Sequence, residues 1–255
     1  MKIALLCCYL FLNLIAPIFG QGIVTSTPEA FTRDLSSPGS AYALILYDST
    51  TLESQNLYNG QQYHIYDSQS EEHPFYLSRE WVTGSVFYDG QLFDSVPLLY
   101  DIVKDQLVVK YTKSFGKVSL QGEKVSHFYL SEGKSTGHTF IRLEAGQRAG
   151  IGMRTGFYDL IYDGTSSVIT RRVKVRQQTI SDTKVIIGFP YKEVFYLYAR
   201  GEYHPVATRK SVLALMADQK RPLNKYLREQ KIKFRKNKEG AILALAYRYD
   251  QLSKP

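Results

Sequence analysis

The sequence predicts a mainly β protein: an antiparallel, hairpin-rich sheet, arranged as a sandwich or a partly closed barrel, followed by two or three C-terminal helices. Three observations lead there. From about Tyr42 to Val206, short runs of Val, Ile, Tyr, Phe and Leu are punctuated by turn dipeptides at hairpin spacing. No helical stretch separates these runs, which argues against a parallel α/β fold. After Pro205 the apolar period shifts from two towards 3.6.

Taken in order, the chain opens with Met1 and Lys2 and then runs apolar from Ile3 to Phe19, with Asn13 as the interruption and Gly20 at the exit. One basic residue, a short apolar stretch and a small residue fit a secretory signal peptide over residues 1–20, cleaved ahead of Gln21. The run is too short and too interrupted for a comfortable membrane span, which takes about 20 apolar residues, and no later segment supplies one. Two rival readings are an uncleaved N-terminal anchor and a lipoprotein acylated at Cys7 or Cys8. Both cysteines lie within the leader, so the mature chain holds none. Disulfides, cysteine-ligated zinc, iron–sulfur clusters and thiol catalysis are thereby excluded for it, and about 235 residues suffice to bury a core without them.

Residues 21–207 are expected to form the β domain. Asn59-Gly60, Asp89-Gly90 and Asp163-Gly164 are type I′ candidates, because both central positions need φ > 0 and these residues tolerate it. Arg200-Gly201 is expected to join strands Val194–Tyr198 and Glu202–Val206. Alternation marks Leu107–Tyr111 and Val168–Val175, where Arg171, Lys174 and Arg176 interleave with apolar positions. Met153–Tyr162 and Val168–Gln178 suit long strands of a curved meander.

Residues 208–255 are expected to form a basic helical segment packed on the β domain. Ser211–Ala217 predicts a short helix with Val212, Leu215 and Met216 on one side. Pro222 fits the first turn of a second helix, which buries Leu223, Tyr226 and Leu227. Asn237 is a plausible N-cap for a third, with Ile242, Leu245, Ala246, Tyr249 and Leu252 as its apolar stripe. Arg221, Lys225 and Arg228 fall at i, i+4 and i+7, forming one basic stripe. Lys231, Lys233, Arg235, Lys236 and Lys238 extend the charge into the next connection. Of the net charge of +8, an excess of nine lies in residues 206–255, which hold 13 Lys or Arg against 4 Asp or Glu. A near-neutral domain thus carries a cationic tail. For an exported protein the matching anions are lipid headgroups, cell-wall polymers or an acidic partner, with no role for nucleic acid.

Catalytic signatures are absent from the sequence. The five histidines lack metal-ligand spacing, and no Gly-x-Ser-x-Gly elbow occurs. Gly146–Gly152 lacks the lysine and spacing of a phosphate loop and suits a turn or bulge. His73, after Glu71-Glu72, is expected in a solvated loop. Asp94, Asp101, Asp159 and Asp163 stay open as a carboxylate pair for glycoside hydrolysis. The 20 tyrosines, with a cluster at Tyr191, Tyr196, Tyr198 and Tyr203, suit half-buried strand positions or, if exposed, a stacking face.

Several stretches resemble a family of exported envelope proteins of Bacteroidota-type Gram-negative bacteria that carries no assigned activity. They are Asn56-Leu57-Tyr58-Asn59-Gly60, Gly84–Gly90, Val96–Ile102, Gly156-Phe157-Tyr158 leading to Tyr162-Asp163-Gly164, and Lys233-Phe234-Arg235-Lys236. The resemblance implies an envelope location and one integrated unit. The functional expectation is a non-enzymatic exported protein, periplasmic, outer-membrane associated or secreted, with no cofactor and no metal. It docks a partner protein or an anionic envelope surface through Arg221, Lys225, Arg228, Lys233, Arg235 and Lys236. The rivals are a hydrolase acting on glycan or peptide and a barrel-type carrier of an apolar ligand. A closed lumen would favour the carrier, a cleft of converging carboxylates or histidines the enzyme, and an open basic or aromatic face the binder.

Overall fold

A computed structural model describes residues 56–111, 116–133, 136–146, 150, 152–181 and 184–253. The expected signal peptide, Cys7, Cys8 and the start of the β domain lie outside the described residues. Short strands β1 (Gln61–Gln62) and β5 (Lys117–Ser119) flank the longer β2 (Val82–Tyr88), β3 (Gln91–Asp101) and β4 (Gln106–Lys110). Then come β6 (Val125–Ser131), β7 (Gly137–Leu143), β8 (Gly156–Tyr162) and β9 (Val168–Lys174). After these follow β10 (Gln177–Ser181), β11 (Lys184–Gly188), β12 (Tyr191–Ala199) and β13 (Glu202–Val206). Eleven of them make one sheet in the order β1-β5-β4-β3-β2-β6-β7-β8-β9-β12-β13, while β10 and β11 form a separate hairpin. Every pairing is antiparallel.

The sheet curls without closing. Three strands separate β3 from β8, yet the Tyr100 ring packs edge-on against Phe128, Phe140 and Phe157 at 5.1, 4.9 and 5.9 Å. The Lys174 N–H of β9, one strand further along, also donates to the Ile102 carbonyl at 3.3 Å. The concave side holds the largest core, from Leu57 and Val86 through Leu98 and Leu107 to Phe157. Aromatic edge-to-face contacts contribute about 0.5–1.5 kcal/mol each beyond their buried area, so this cluster is a principal anchor of the curl.

Two hairpins follow the expected chemistry. Asp89-Gly90 turns β2 into β3 with φ of 50° and 82°, and Arg200-Gly201 turns β12 into β13 with φ of 55° and 89°. Asn59-Gly60 departs from it. It leads from a 3-10 turn into β1, whose partner β5 is remote in sequence, and a Cβ on Gly60 would strike the Ser119 carbonyl. Asp163-Gly164 does lie in the β8–β9 connection, but neither residue has positive φ; Gly164 instead leaves room for the Tyr162 ring and the Asp250 carboxylate. The expected alternation in Leu107–Tyr111 is also overridden. Leu107, Val108 and Val109 are all buried, because β4 has core on both faces: Val108 packs with Tyr63, Phe75 and Leu99 on the far side. The long strand expected at Val168–Gln178 breaks after Lys174, and β10 leaves the main sheet.

Three helices follow: α1 (Arg209–Leu215), α2 (Lys220–Glu229) and α3 (Lys238–Leu252). Thr208 caps α1 in a reciprocal box with Ser211, and Asn237 caps α3 by accepting the Gly240 N–H. Val212, Leu213, Leu223, Leu227, Ile242 and Leu245 form a second core with Val168, Phe195 and Leu197 of the sheet. Leu215 and Tyr226, expected inside, are only half-buried, while Leu213 is buried instead. Among the described residues, no helix is long and apolar enough to cross a membrane.

Candidate functional site

The basic stripe is built by the amphipathic pattern of α2. Leu223 and Leu227 hold one side of the helix against the second core, and Arg221, Lys225 and Arg228 project as exposed residues on another. Lys233, Arg235 and Lys236, in the connection to α3, are exposed as well. Lys225 makes a loose i,i+4 pair with Glu229 at 3.7 Å, and among the described residues the other five cations make no ion pair. Lys238, expected to continue the stripe, is half-buried, with its ammonium 5.6 Å from the centre of the Phe195 ring. No exposed large apolar side chain lies between residues 220 and 238.

A second arrangement surrounds Arg172 on the face that bears both large cores. Its guanidinium donates to Asp159 at 2.6 Å, to the Tyr191 hydroxyl at 2.9 Å and to Glu239 of α3 at 2.8 Å, and lies 5.5 Å from the Tyr76 ring centre. The same Asp159 oxygen accepts from His138 Nδ1 at 2.8 Å. His138 Nε2 faces the Tyr76 hydroxyl and Glu132, both at 3.2 Å. The hydrogen bond to Asp159 raises the His138 pKa above its ordinary value against the opposing effect of burial. Burial raises the Tyr76 phenol far above its usual range, so that hydroxyl stays protonated. An oriented imidazole beside a carboxylate is half of a nucleophile-activating arrangement. Among the described residues the hydroxyl at its other nitrogen is a phenol held neutral, and the geometry ties β7, β8, β9, β12 and α3 together.

The opposite face of β9 carries a third arrangement. Alternation along the strand sends Arg171 to the side away from Arg172. Its guanidinium contacts the Tyr158 hydroxyl at 3.3 Å, and the Arg154 carbonyl and Asp105 carboxylate at 3.4 Å each. Beside it opens a cavity of ≈320 Å³ whose lining includes Val103, Asp105, Arg154, Arg171, Val173 and Tyr196, with Arg172 also at its edge. The wall at Ile102–Asp105 is the β3–β4 turn. Buried Asp101 shapes that turn by accepting the Val103 and Lys104 N–H groups at 2.9 and 3.0 Å and the Tyr63 hydroxyl at 2.7 Å. Burial raises the Asp105 carboxyl above its ordinary pKa, although the Tyr100 hydroxyl and Arg171 oppose this.

The remaining sequence candidates take structural places. Asp101 and Asp159 are consumed by the bonds just described, and Asp94 and Asp163 are exposed. His73 is half-buried, stacked on Phe75 with ring centres 6.1 Å apart, rather than in a solvated loop; burial lowers its pKa. Tyr196 and Tyr203 sit in a small core with Met153, Tyr158 and Ile169, and Tyr191 serves Arg172. Residues 147–149 and 151 of the glycine-containing stretch lie outside the described residues; Gly146 and Gly152 have positive φ, as turn residues do. Among the described residues, no cluster of three or more His, Cys, Asp or Glu side chains is placed to hold a metal ion. Neither Arg172 nor the Arg171 cavity was singled out from sequence. The available signal was two consecutive arginines inside a strand, one of which has to point inward.

Compared with family models, curated proteins and solved structures, the chain matches none. Its function is therefore argued from this geometry.

Proposed function

We propose that the protein is a non-enzymatic component of the cell envelope that docks on an anionic lipid surface through the basic face of α2 and the α2–α3 connection. The observation that carries this reading is the exposure of all six cations, Arg221, Lys225, Arg228, Lys233, Arg235 and Lys236, on a segment whose apolar side is engaged elsewhere. Like charges on a surface contribute little to folding. Protein interfaces are organised around buried aromatic or Arg anchors in pockets. This stretch has no exposed large aromatic side chain, which suits a diffuse layer of headgroups better than a shaped protein partner. The open sheet supports the binder over the carrier reading, and a neutral phenol beside the Asp159–His138 pair, among the described residues, supports it over the hydrolase reading. Export by the N-terminal leader is part of the same proposal.

Co-sedimentation with lipid vesicles tests it. Each Lys or Arg near an anionic surface contributes about 1 kcal/mol, so six cations produce firm binding at low salt. Binding is expected to vesicles containing phosphatidylglycerol and not to purely zwitterionic ones. It should fall as salt rises from about 0.1 M to 1 M and the screening length drops from about 10 Å to 3 Å. Retention by an envelope fraction without affinity for anionic vesicles would transfer the face to a protein partner and overturn the lipid reading.

A further inference from the structure

We propose that the cavity beside Arg171 is a binding site for a small carboxylate with an apolar body. The site is separate from the basic helical face, so either assignment can fail without the other.

Three features meet there. The first is a cation whose bonding capacity is only loosely used. Charge-assisted N–H···O bonds settle near 2.7–2.9 Å, and Arg172 next door makes its three strongest bonds at 2.6, 2.8 and 2.9 Å. Among the described residues, every polar contact of Arg171 lies at 3.3–3.4 Å. The guanidinium is nonetheless aimed, because it lies 5.4 Å from the Tyr158 ring centre and its side chain is 20% exposed. It is held in place with donors to spare, which suits two-point recognition of a carboxylate.

The second feature is a second cation. Arg154 lines the same cavity, is exposed, and makes no side-chain hydrogen bond or ion pair among the described residues. Asp105 is the single acid in the lining, so the cavity carries a net positive charge even with that carboxylate ionised.

The third feature is the apolar remainder of the wall. Ile102, Val103, Val173 and Tyr196 line the cavity, and Val194, 42% exposed, stands opposite Arg171 on β12. A purely inorganic anion leaves that surface wet, whereas a carboxylate on a short aliphatic or aromatic body covers it. At ≈320 Å³ the space lies at the small end of ligand pockets, which run from about 300 to 1,000 Å³.

Isothermal titration calorimetry on the whole protein with sodium octanoate tests the assignment, with 1-octanol and octylammonium as matched probes. Octanoate is expected to bind saturably with a dissociation constant of about 1 mM or tighter, in keeping with ten non-hydrogen atoms. The alcohol and the amine should not compete. Arg154→Gln and Arg171→Gln should each weaken octanoate binding about tenfold, the loss expected for one charge-assisted bond. Arg154 is exposed and its replacement leaves the fold alone, so that variant decides the matter if Arg171→Gln folds poorly. Three results would overturn the proposal: no saturable octanoate binding up to about 10 mM, equal affinity for 1-octanol, or octanoate affinity unchanged in Arg154→Gln. Inorganic phosphate binding with the same arginine dependence, in place of octanoate, would overturn the carboxylate assignment as well.

Discussion

Arg171 and Arg172 are neighbours in one strand, and they lead different lives. Arg172 is almost wholly buried, 6% exposed, and its short bonds reach β8, β12 and α3. Arg171, one residue earlier, faces a cavity and makes only long contacts. The same side chain thus ties the fold together on one face of the sheet and stays open to a ligand on the other. The difference comes from what stands across the sheet. Asp159 and Glu193 share Arg172's face, whereas the residue opposite Arg171 on β12 is Val194.

The largest expected effect breaks the Arg172 side. Arg172→Met leaves Asp159 buried beside a single His138, and removing one partner of a buried pair costs about 3–5 kcal/mol. Urea unfolding followed by circular dichroism should show that loss. Arg171→Gln should cost about 1 kcal/mol or less, as for a partly exposed, loosely held ion pair. Equal losses for the two variants would abolish the distinction. Arg172→Lys should not rescue stability, because one ammonium cannot reach Asp159, Tyr191 and Glu239 in three directions.

Gly156 offers an intermediate test on the Arg171 side. Its φ is +154°, and a Cβ there would land on the Asp105 carboxylate and crowd the Arg171 guanidinium. Gly156→Ala is expected to cost about 1–3 kcal/mol through backbone strain. It should also displace Asp105 and Arg171 while leaving the contacts of Arg172 in place. Chemical shifts of the Arg171 and Arg172 side-chain N–H groups distinguish the two outcomes.

How much of this was legible beforehand depends on the range of the interaction. Asp89-Gly90 and Arg200-Gly201 declared their hairpins because φ > 0 is a local demand. Asn237 and Pro222 marked the helices for a similarly local reason. Asn59-Gly60 carried the same local signal and misled, since Gly60 answers a close approach by Ser119 from a strand far along the chain. The cations of α2 could be placed outside because their own helix supplies Leu223 and Leu227 as the inside. Arg172 had no such companions: its partners come from two other strands and a helix near the C-terminus. A curved, partly closed sheet was expected, but not which residues its curl brings together, Tyr100 on Phe157 and the β3–β4 turn beside Arg171.

A smaller effect concerns pH. His138 has a folded pKa above its ordinary value of about 6.5, so its protonation favours the native state. The stabilisation is fully present below the unfolded pKa and is lost as pH rises through the higher folded value. The Asp159 and Glu132 side chains face the imidazole, Arg172 opposes its charge, and Tyr76 stays neutral. Unfolding free energy of the wild type relative to His138→Gln should therefore decline between pH 6 and pH 8. A flat difference across that window would remove His138 from the tie that Arg172 anchors.

The smallest expected change in stability lies at the face that the proposed function uses most. Arg221, Lys225 and Arg228 are exposed, and reversing all three to Glu buries nothing new. The loose pair of Lys225 with Glu229 is lost, which costs about 0.3–0.5 kcal/mol for an exposed i,i+4 pair. Against that, residue 221 stands in the first turn of α2, where the helix dipole favours an acid by about 0.3–1 kcal/mol. Arg228 stands in the last turn, where exchanging a cation for an acid costs a similar amount, so the sum is a loss of about 1 kcal/mol or less and the midpoint of urea unfolding should fall only slightly. Affinity for anionic vesicles should fall roughly 100-fold or more, because three contributions of about 1 kcal/mol each are lost and then reversed in sign. A triple variant that folds normally and still binds such vesicles at low salt would reduce the basic face to a solvated surface. One that unfolds would make α2 part of the structural tie, on the side of Arg172 rather than Arg171.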